Sequence, residues 1–191
     1  MPAAGPGTKL ADAALKLLAK TRWSDLTLAQ VARAARVPLA SLQGAAPDKA
    51  ALLGLILRRV GADVAKTYHP DRRSADTRDR LLDVALTWFE VLRPRAAAVR
   101  TLTEDLRHDP LSLISMRGEI VAAASWLLTL AEADTGASLP ARALAFAGIL
   151  ARAIPVWLDD DGEMTATMAR LDADLRRGGF LFGRPNDKPS P

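Results

Sequence analysis

Few residues in this chain are equipped for catalysis. Histidine occurs twice, at His69 and His108, and each stands beside a proline-bearing turn, "YHPDRR" and "RHDPL". A lone loop histidine with no partner to orient it is a solvated or helix-capping residue rather than a general base. The acidic run "DDDGE" at 159–163 has a partial likeness to a calcium loop, but it lacks the full ligand spacing and the distant Glu. Carboxylates just before a helix complement its positive N-terminal end, so capping of the last helix is the expected role. There is no cysteine, hence no thiolate and no disulfide, and no glycine-rich phosphate loop or nucleophile motif occurs. The sequence therefore predicts no catalytic residue, no metal ligand set, no cofactor and no enzyme activity.

What remains is recognition chemistry. The stretch "PLASLQGAAPDK", residues 38–49, carries no charge before Asp48 and no aromatic ring. It does offer Ser41, Gln43 and Lys49. A glutamine carboxamide pairs with an adenine edge, a hydroxyl reaches a phosphate or a base, and an ammonium grips a phosphate. Residues 1–60 hold nine basic side chains against Asp12, Asp25 and Asp48, a balance of +6, so with a total of +4 the rest is −2. A basic front half beside a slightly acidic remainder points to a polyanion. An arginine-rich, alanine-rich composition accounts for part of the same excess.

The elements that must position these side chains are helices. Apolar residues recur at i, i+3, i+4 and i+7 throughout, and period-two strand signals are absent. A first helix runs from Thr8 to about Arg22, with Leu10, Ala14, Leu17 and Leu18 on one face. Thr27 and Gln30 form a capping-box pair, which starts a second helix ending near Ala35. A third begins near Pro38, and Asp48 caps a fourth that reaches about Lys66. Five more follow, over 77–92, 95–108, 111–133, 140–158 and 163–177, punctuated by Pro94, Pro110 and Gly136. The prediction is an all-α protein of about nine helices, with a front domain over 1–67, a second over 75–177 and a flexible tail from 178 to 191. "FLF" at 180–182 is too short for an interfacial helix. Neither a secretory signal nor a run of about 20 apolar residues is apparent, so a soluble, cytoplasmic protein without a transmembrane segment is expected.

Two short helices joined by a tight turn and preceded by an amphipathic helix have the dimensions of a helix-turn-helix. The stretch "LADAALKLLAKTRWSDLTLAQVARAARVPLASLQGAAPDKAALLGLIL" resembles the TetR family of bacterial transcriptional regulators. The likeness rests on the apolar first helix, the Trp after it, Thr27, Val31-Ala32, Ala35-Arg36-Val37, Leu42 and Lys49. It implies a TetR-like fold, DNA as partner and a homodimer, with Thr27, Arg36, Ser41, Gln43 and Lys49 facing DNA. The chain departs from the family pattern at several of these positions. Pro38 replaces a small hydroxyl residue, Gln43 a Tyr, Ala45 a His or Tyr, Arg36 a Gly and Ala46 a Phe. The scaffold of a recognition helix is present, and its readers are sparse.

The second half accumulates rings and methionines, among them Trp88, Phe89, Met116, Trp126, Phe146 and Trp157. Most residues of this kind are core, yet together they could line a cavity for an apolar ligand, with Trp88, Met116 and Trp126 as its expected wall. Helix 139–158 sets Ala141, Ala145, Gly148, Ala151 and Arg152 along neighbouring turns, a close-approach face and the expected dimer interface with helix 163–177. The segments "RDRLLDVALTWFEVLRPRAAAVRTL", "HDPL", "ASWLLTLAEADTG" and "VWLDDDGEMTATMARLDADLRR" resemble bacterial relatives of the coenzyme Q biosynthesis accessory protein. That family is TetR-like but lipid-binding. The sequence thus leaves two readings: a ligand-responsive DNA-binding regulator, and a lipid- or isoprenoid-binding accessory protein that keeps the helix-turn-helix as structure.

Overall fold

The structure, a computed structural model, describes residues 5–69, 76–133 and 138–182, apart from the side chains of Phe180 and Leu181. Within them every regular element is helical. The order is α1 (Pro6–Leu18), α2 (Leu28–Ala35), α3 (Leu39–Ala45), α4 (Lys49–Thr67), α5 (Thr77–Leu92), a 3-10 turn (Arg93–Arg95), α6 (Ala96–Arg107), α7 (Pro110–Leu130), α8 (Leu139–Asp159), α9 (Thr165–Arg177) and the single turn α10 (Gly179–Phe182).

Local chemistry explains most of the boundaries. At the start of α2, Gln30 N donates to Thr27 Oγ1 at 3.2 Å and Thr27 N donates to Gln30 Oε1 at 2.8 Å, a complete capping box. The helix ends where Arg36 turns left-handed at φ 55, letting Val37 N reach Ala32 O and Arg36 N reach Arg33 O. This is the pattern that usually recruits glycine. Glu132, at φ 52, closes α7 the same way. Asp48 Oδ1 accepts from Ala51 N and opens α4. The proline at 94 does not end the helical path outright, because a 3-10 turn carries it into α6.

The described residues divide into two compact units that do not follow chain order. The first contains residues 5–63 and 91–123, the second residues 64–69, 76–90, 124–133 and 138–182. In the first, α1 packs on α2, α3 and α6 around Leu10, Leu18, Trp23, Leu26, Val31 and Leu52. An ion network ties this unit together at its edge. Arg59 bonds Asp12 at 3.1 Å and also Asp63, while Arg95 bonds Asp63 at 2.9 Å. Burial alone would raise the Asp63 carboxyl, but the hydrogen bonds from Arg59 and Arg95 outweigh it and hold it below its ordinary value.

In the second unit α8 packs on α9. Phe89 stands between Trp88 and Trp157, at ring-centroid distances of 4.9 and 5.4 Å. Asp174, almost wholly buried, receives Arg170 and Arg152 at 2.9 and 3.3 Å. Where sequence alone predicts a loose tail, the residues from 178 begin with α10, whose buried Phe182 meets the Phe146 ring edge-on at 6.3 Å. Residues 183–191 of that predicted tail lie outside the described residues.

Two helices exceed the apolar length expected from sequence. Both α7 and α8 are 21 residues long, with mean hydropathies of 1.3 and 1.5 over their most apolar windows, enough by length and composition to cross a membrane. Charges interrupt both, Arg117 and Glu119 in α7 and Arg142 and Arg152 in α8, which ends on Asp159, so they do not read as unbroken apolar runs. In α8, Phe146, Leu150 and Trp157 are buried within the second unit, which is how a core helix of a helical domain packs.

Candidate nucleic-acid interface

α2 and α3 meet through the turn at Arg36–Pro38, and α1 packs against both. Two short helices joined by a tight turn and packed on a preceding helix have the element order of a helix-turn-helix. Leu42 turns inward, 6% exposed, and Ala46 is fully buried below it, so the Phe-to-Ala departure at 46 is accommodated without exposing the core. Pro38 gives α3 no side-chain cap; the helix begins with Ser41 N and Leu42 N donating to Pro38 O. Ser41 and Gln43 are both exposed.

The other DNA-facing residues expected from sequence sit in different circumstances. Thr27 is exposed, and its hydroxyl oxygen already accepts the Gln30 amide. Arg36 is exposed at the end of α2. Lys49 is engaged. Its Nζ donates to Trp23 O at 2.7 Å and to Ser24 O at 3.0 Å, and lies 5.6 Å from the Trp23 ring centroid. It fastens the start of α4 to the turn between α1 and α2.

Pairing also redistributes the basic excess of the front half. Arg22 faces Asp25 and Asp105, Arg58 bonds Glu119 at 3.0 Å, and Arg59 is held by Asp12 and Asp63. Among the described residues, Lys9, Lys16, Lys20, Arg33 and Arg36 are exposed and make no ion pair. These cations are available to phosphates.

Sequence reasoning missed two features of this unit. The first is Leu39, 63% exposed at the start of α3. The second is an open cleft of about 570 Å³ lined by Arg22, Trp23, Ser24, Thr101, Glu104, Asp105, His108 and Asp109. Asp105 Oδ2 accepts the Ser24 amide there at 3.1 Å, and His108 Nδ1 lies 2.9 Å from Glu104 O at the end of α6. Asp109 caps α7 through Ser112, whose hydrogen bonds hold the carboxyl below its ordinary value. No local sequence signal joins residues 81 positions apart.

His69 is exposed. In "DDDGE", Asp160 Oδ2 accepts from Thr167 N and Thr167 Oγ1, both at 2.7 Å, which is the helix-capping role expected of the run. No cluster able to hold a metal ion occurs among the described residues.

The three residues expected to wall an apolar pocket belong to different units. Met116 is buried in the core of the first. Trp88, half-buried, and Trp126, 44% exposed, belong to the second. On α8, Ala141, Gly148 and Arg152 are exposed and Ala145 is half-buried, with Leu144 beside them 45% exposed. A Cβ added at Gly148 would meet nothing within 4 Å. Arg152 is partly committed to Asp174.

No protein-family model and no curated protein sequence matches the chain. Among solved structures, a TetR transcriptional regulator from Rhodococcus sp. RHA1 is similar with a TM-score of 0.60 at 13% identity, over 94% of this chain and 97% of that one. A TetR-family transcriptional regulator from Streptomyces coelicolor has a TM-score of 0.49 at 18% identity, over 92% of this chain and 81% of that one. The fold is all-helical and TetR-like.

Proposed function

We propose that the chain is a homodimeric, DNA-binding transcriptional regulator of the TetR type. The observation that carries this is the α2–α3 helix-turn-helix, complete with its capping box, at the front of a TetR-like fold. The unpaired cations Lys9, Lys16, Lys20, Arg33 and Arg36 supply the phosphate-facing charge that such a module needs. Selection of bound duplexes from a random library by the purified protein tests the reading, and failure to enrich any duplex at low salt would reject it.

The dimer is formed through α8 and α9. Ala141, Gly148 and Ala151 leave one side of α8 exposed and lined by small residues, and Met168 on α9 is 45% exposed. Small residues allow another helix to approach closely, and exposed apolar side chains gain by burial. Sedimentation should give twice the chain mass, and Gly148→Arg should give monomer. A monomeric unmodified protein at micromolar concentration would refute the interface and the regulator together.

The effector is an apolar small molecule taken up by the second unit, a reading supported by Trp88, half-buried, and Trp126, 44% exposed. Fatty acids or isoprenoid quinones should quench tryptophan fluorescence; no quenching across such a panel would remove the effector from the proposal.

One observation favours the second reading, a lipid-binding accessory protein. From Pro38 to Pro47 the chain has no charged side chain, and Lys49 is occupied. The duplex selection separates the two readings.

A further inference from the structure

This inference deepens the DNA-binding reading and rests on it. With Leu42 turned into the core, the outward surface of α3 is made by Leu39, Ala40, Ser41, Gln43 and Gly44. Leu39 and Gln43 are four residues apart, so they share one helix face. Their separation along the axis is about 6 Å, close to two base-pair steps of about 3.4 Å. The face holds an exposed leucine, 63% accessible, and a carboxamide, with no charge anywhere on α3.

That composition discriminates among base edges. In the major groove the one apolar group is the C5-methyl of thymine, and the edge that a glutamine carboxamide matches in two hydrogen bonds is that of adenine. Guanine is read by the paired donors of arginine or lysine, which α3 lacks. We propose that α3 reads A·T pairs, Leu39 packing on a thymine methyl while Gln43 bonds an adenine about two base pairs away. Arg33 and Arg36, at the end of α2, hold the backbone and carry no sequence information. Specificity then comes from methyl contact and a neutral amide, with charge confined to positioning.

The test uses the full chain and duplexes enriched from a random library. In an enriched duplex each thymine is replaced in turn by uracil, which removes the C5-methyl and leaves the pairing edge intact. At one position per half-site the unmodified protein should bind about four-fold more weakly, the worth of one buried methyl group. Leu39→Ala should lose that thymine-over-uracil preference; as an exposed residue it should keep the thermal midpoint of the unmodified protein. Gln43→Ala should keep the preference and lose adenine-over-guanine selection at the position about two base pairs away. Enriched duplexes with G·C pairs at the half-site centres, or uracil bound as tightly as thymine at every position, would overturn the proposal and leave DNA binding intact. Because the uracil scan uses unmodified protein, it decides the matter even if a variant misfolds. Enrichment of no duplex would overturn both readings.

Discussion

Replacing Lys49 by Met keeps the aliphatic stem and deletes the ammonium, so it isolates the fastening between α4 and the turn after α1. Two hydrogen bonds are lost, to Trp23 O at 2.7 Å and Ser24 O at 3.0 Å, together with the contact over the Trp23 ring. A hydrogen bond from a charged donor is worth about 1.5–3 kcal/mol. Ser24 is exposed, so its carbonyl regains water and most of the loss comes from the part-buried bond to Trp23. The half-buried Lys49 ammonium, 5.6 Å from the centroid of the buried Trp23 ring, adds about 0.5–1 kcal/mol. The sum is about 2–4 kcal/mol. For a chain of this size each kcal/mol moves the thermal midpoint by about 2–4 °C, so a fall of roughly 4–16 °C is expected, with a matching shift in the urea midpoint. Mobility-shift titrations over a salt series supply the second readout, because each phosphate contact contributes about 0.9 to the log–log slope. Lys49 spends two of its three N–H groups on carbonyls, so the slope should not change. A variant as stable as the unmodified protein, with its slope lowered by about one unit, would refute the fastening role and restore Lys49 as a phosphate contact.

Arg36 holds a left-handed conformation that costs an L side chain about 1–2 kcal/mol, while glycine gives back about 0.5–1 kcal/mol through its freer unfolded chain; Arg36→Gly should therefore stabilise by about 0.5–1 kcal/mol in urea titrations while lowering the salt slope of DNA binding. At Gly54 a new Cβ would collide with Glu119 Oε2, forcing that flexible carboxylate away from Arg58. The helix-propensity gain of about 1 kcal/mol offsets the loss of an exposed pair worth about 0–1 kcal/mol, so Gly54→Ala should be near neutral and Gly54→Ala with Glu119→Ala more stable than Glu119→Ala alone by about 1 kcal/mol. The Asp63 carboxyl is held below its ordinary 3.8, so its contribution is full above that value and is lost as pH falls through the depressed one. Asp63→Asn should accordingly flatten the acid limb of a stability-against-pH curve below about pH 4 and leave its shape above pH 5 unchanged; an unchanged acid limb would remove Asp63 from the network's role.

Helical class, the number of long helices and most of their ends were legible in the sequence, because periodicity and capping are local. Thr27 with Gln30 specifies the start of α2 from residues three apart, and Asp48 does the same for α4. The uncharged character of α3 was equally plain, since it is a property of seven consecutive residues. Side-chain roles that depend on partners far along the chain were not. Lys49 has the type and position of a phosphate contact, and only the approach of the 23–24 turn, some 25 residues earlier, makes it a fastener. Ser24 and Asp105 meet across 81 residues. Rings and methionines look alike in a list, yet Met116 belongs to the core of one unit and Trp88 and Trp126 to the other, because burial is set by what packs on a helix face and not by the face itself. The outward exposure of Leu39 was decided in the same way: α1 took Leu42 for the core, and the turn of the helix put Leu39 and Gln43 together on the side left over.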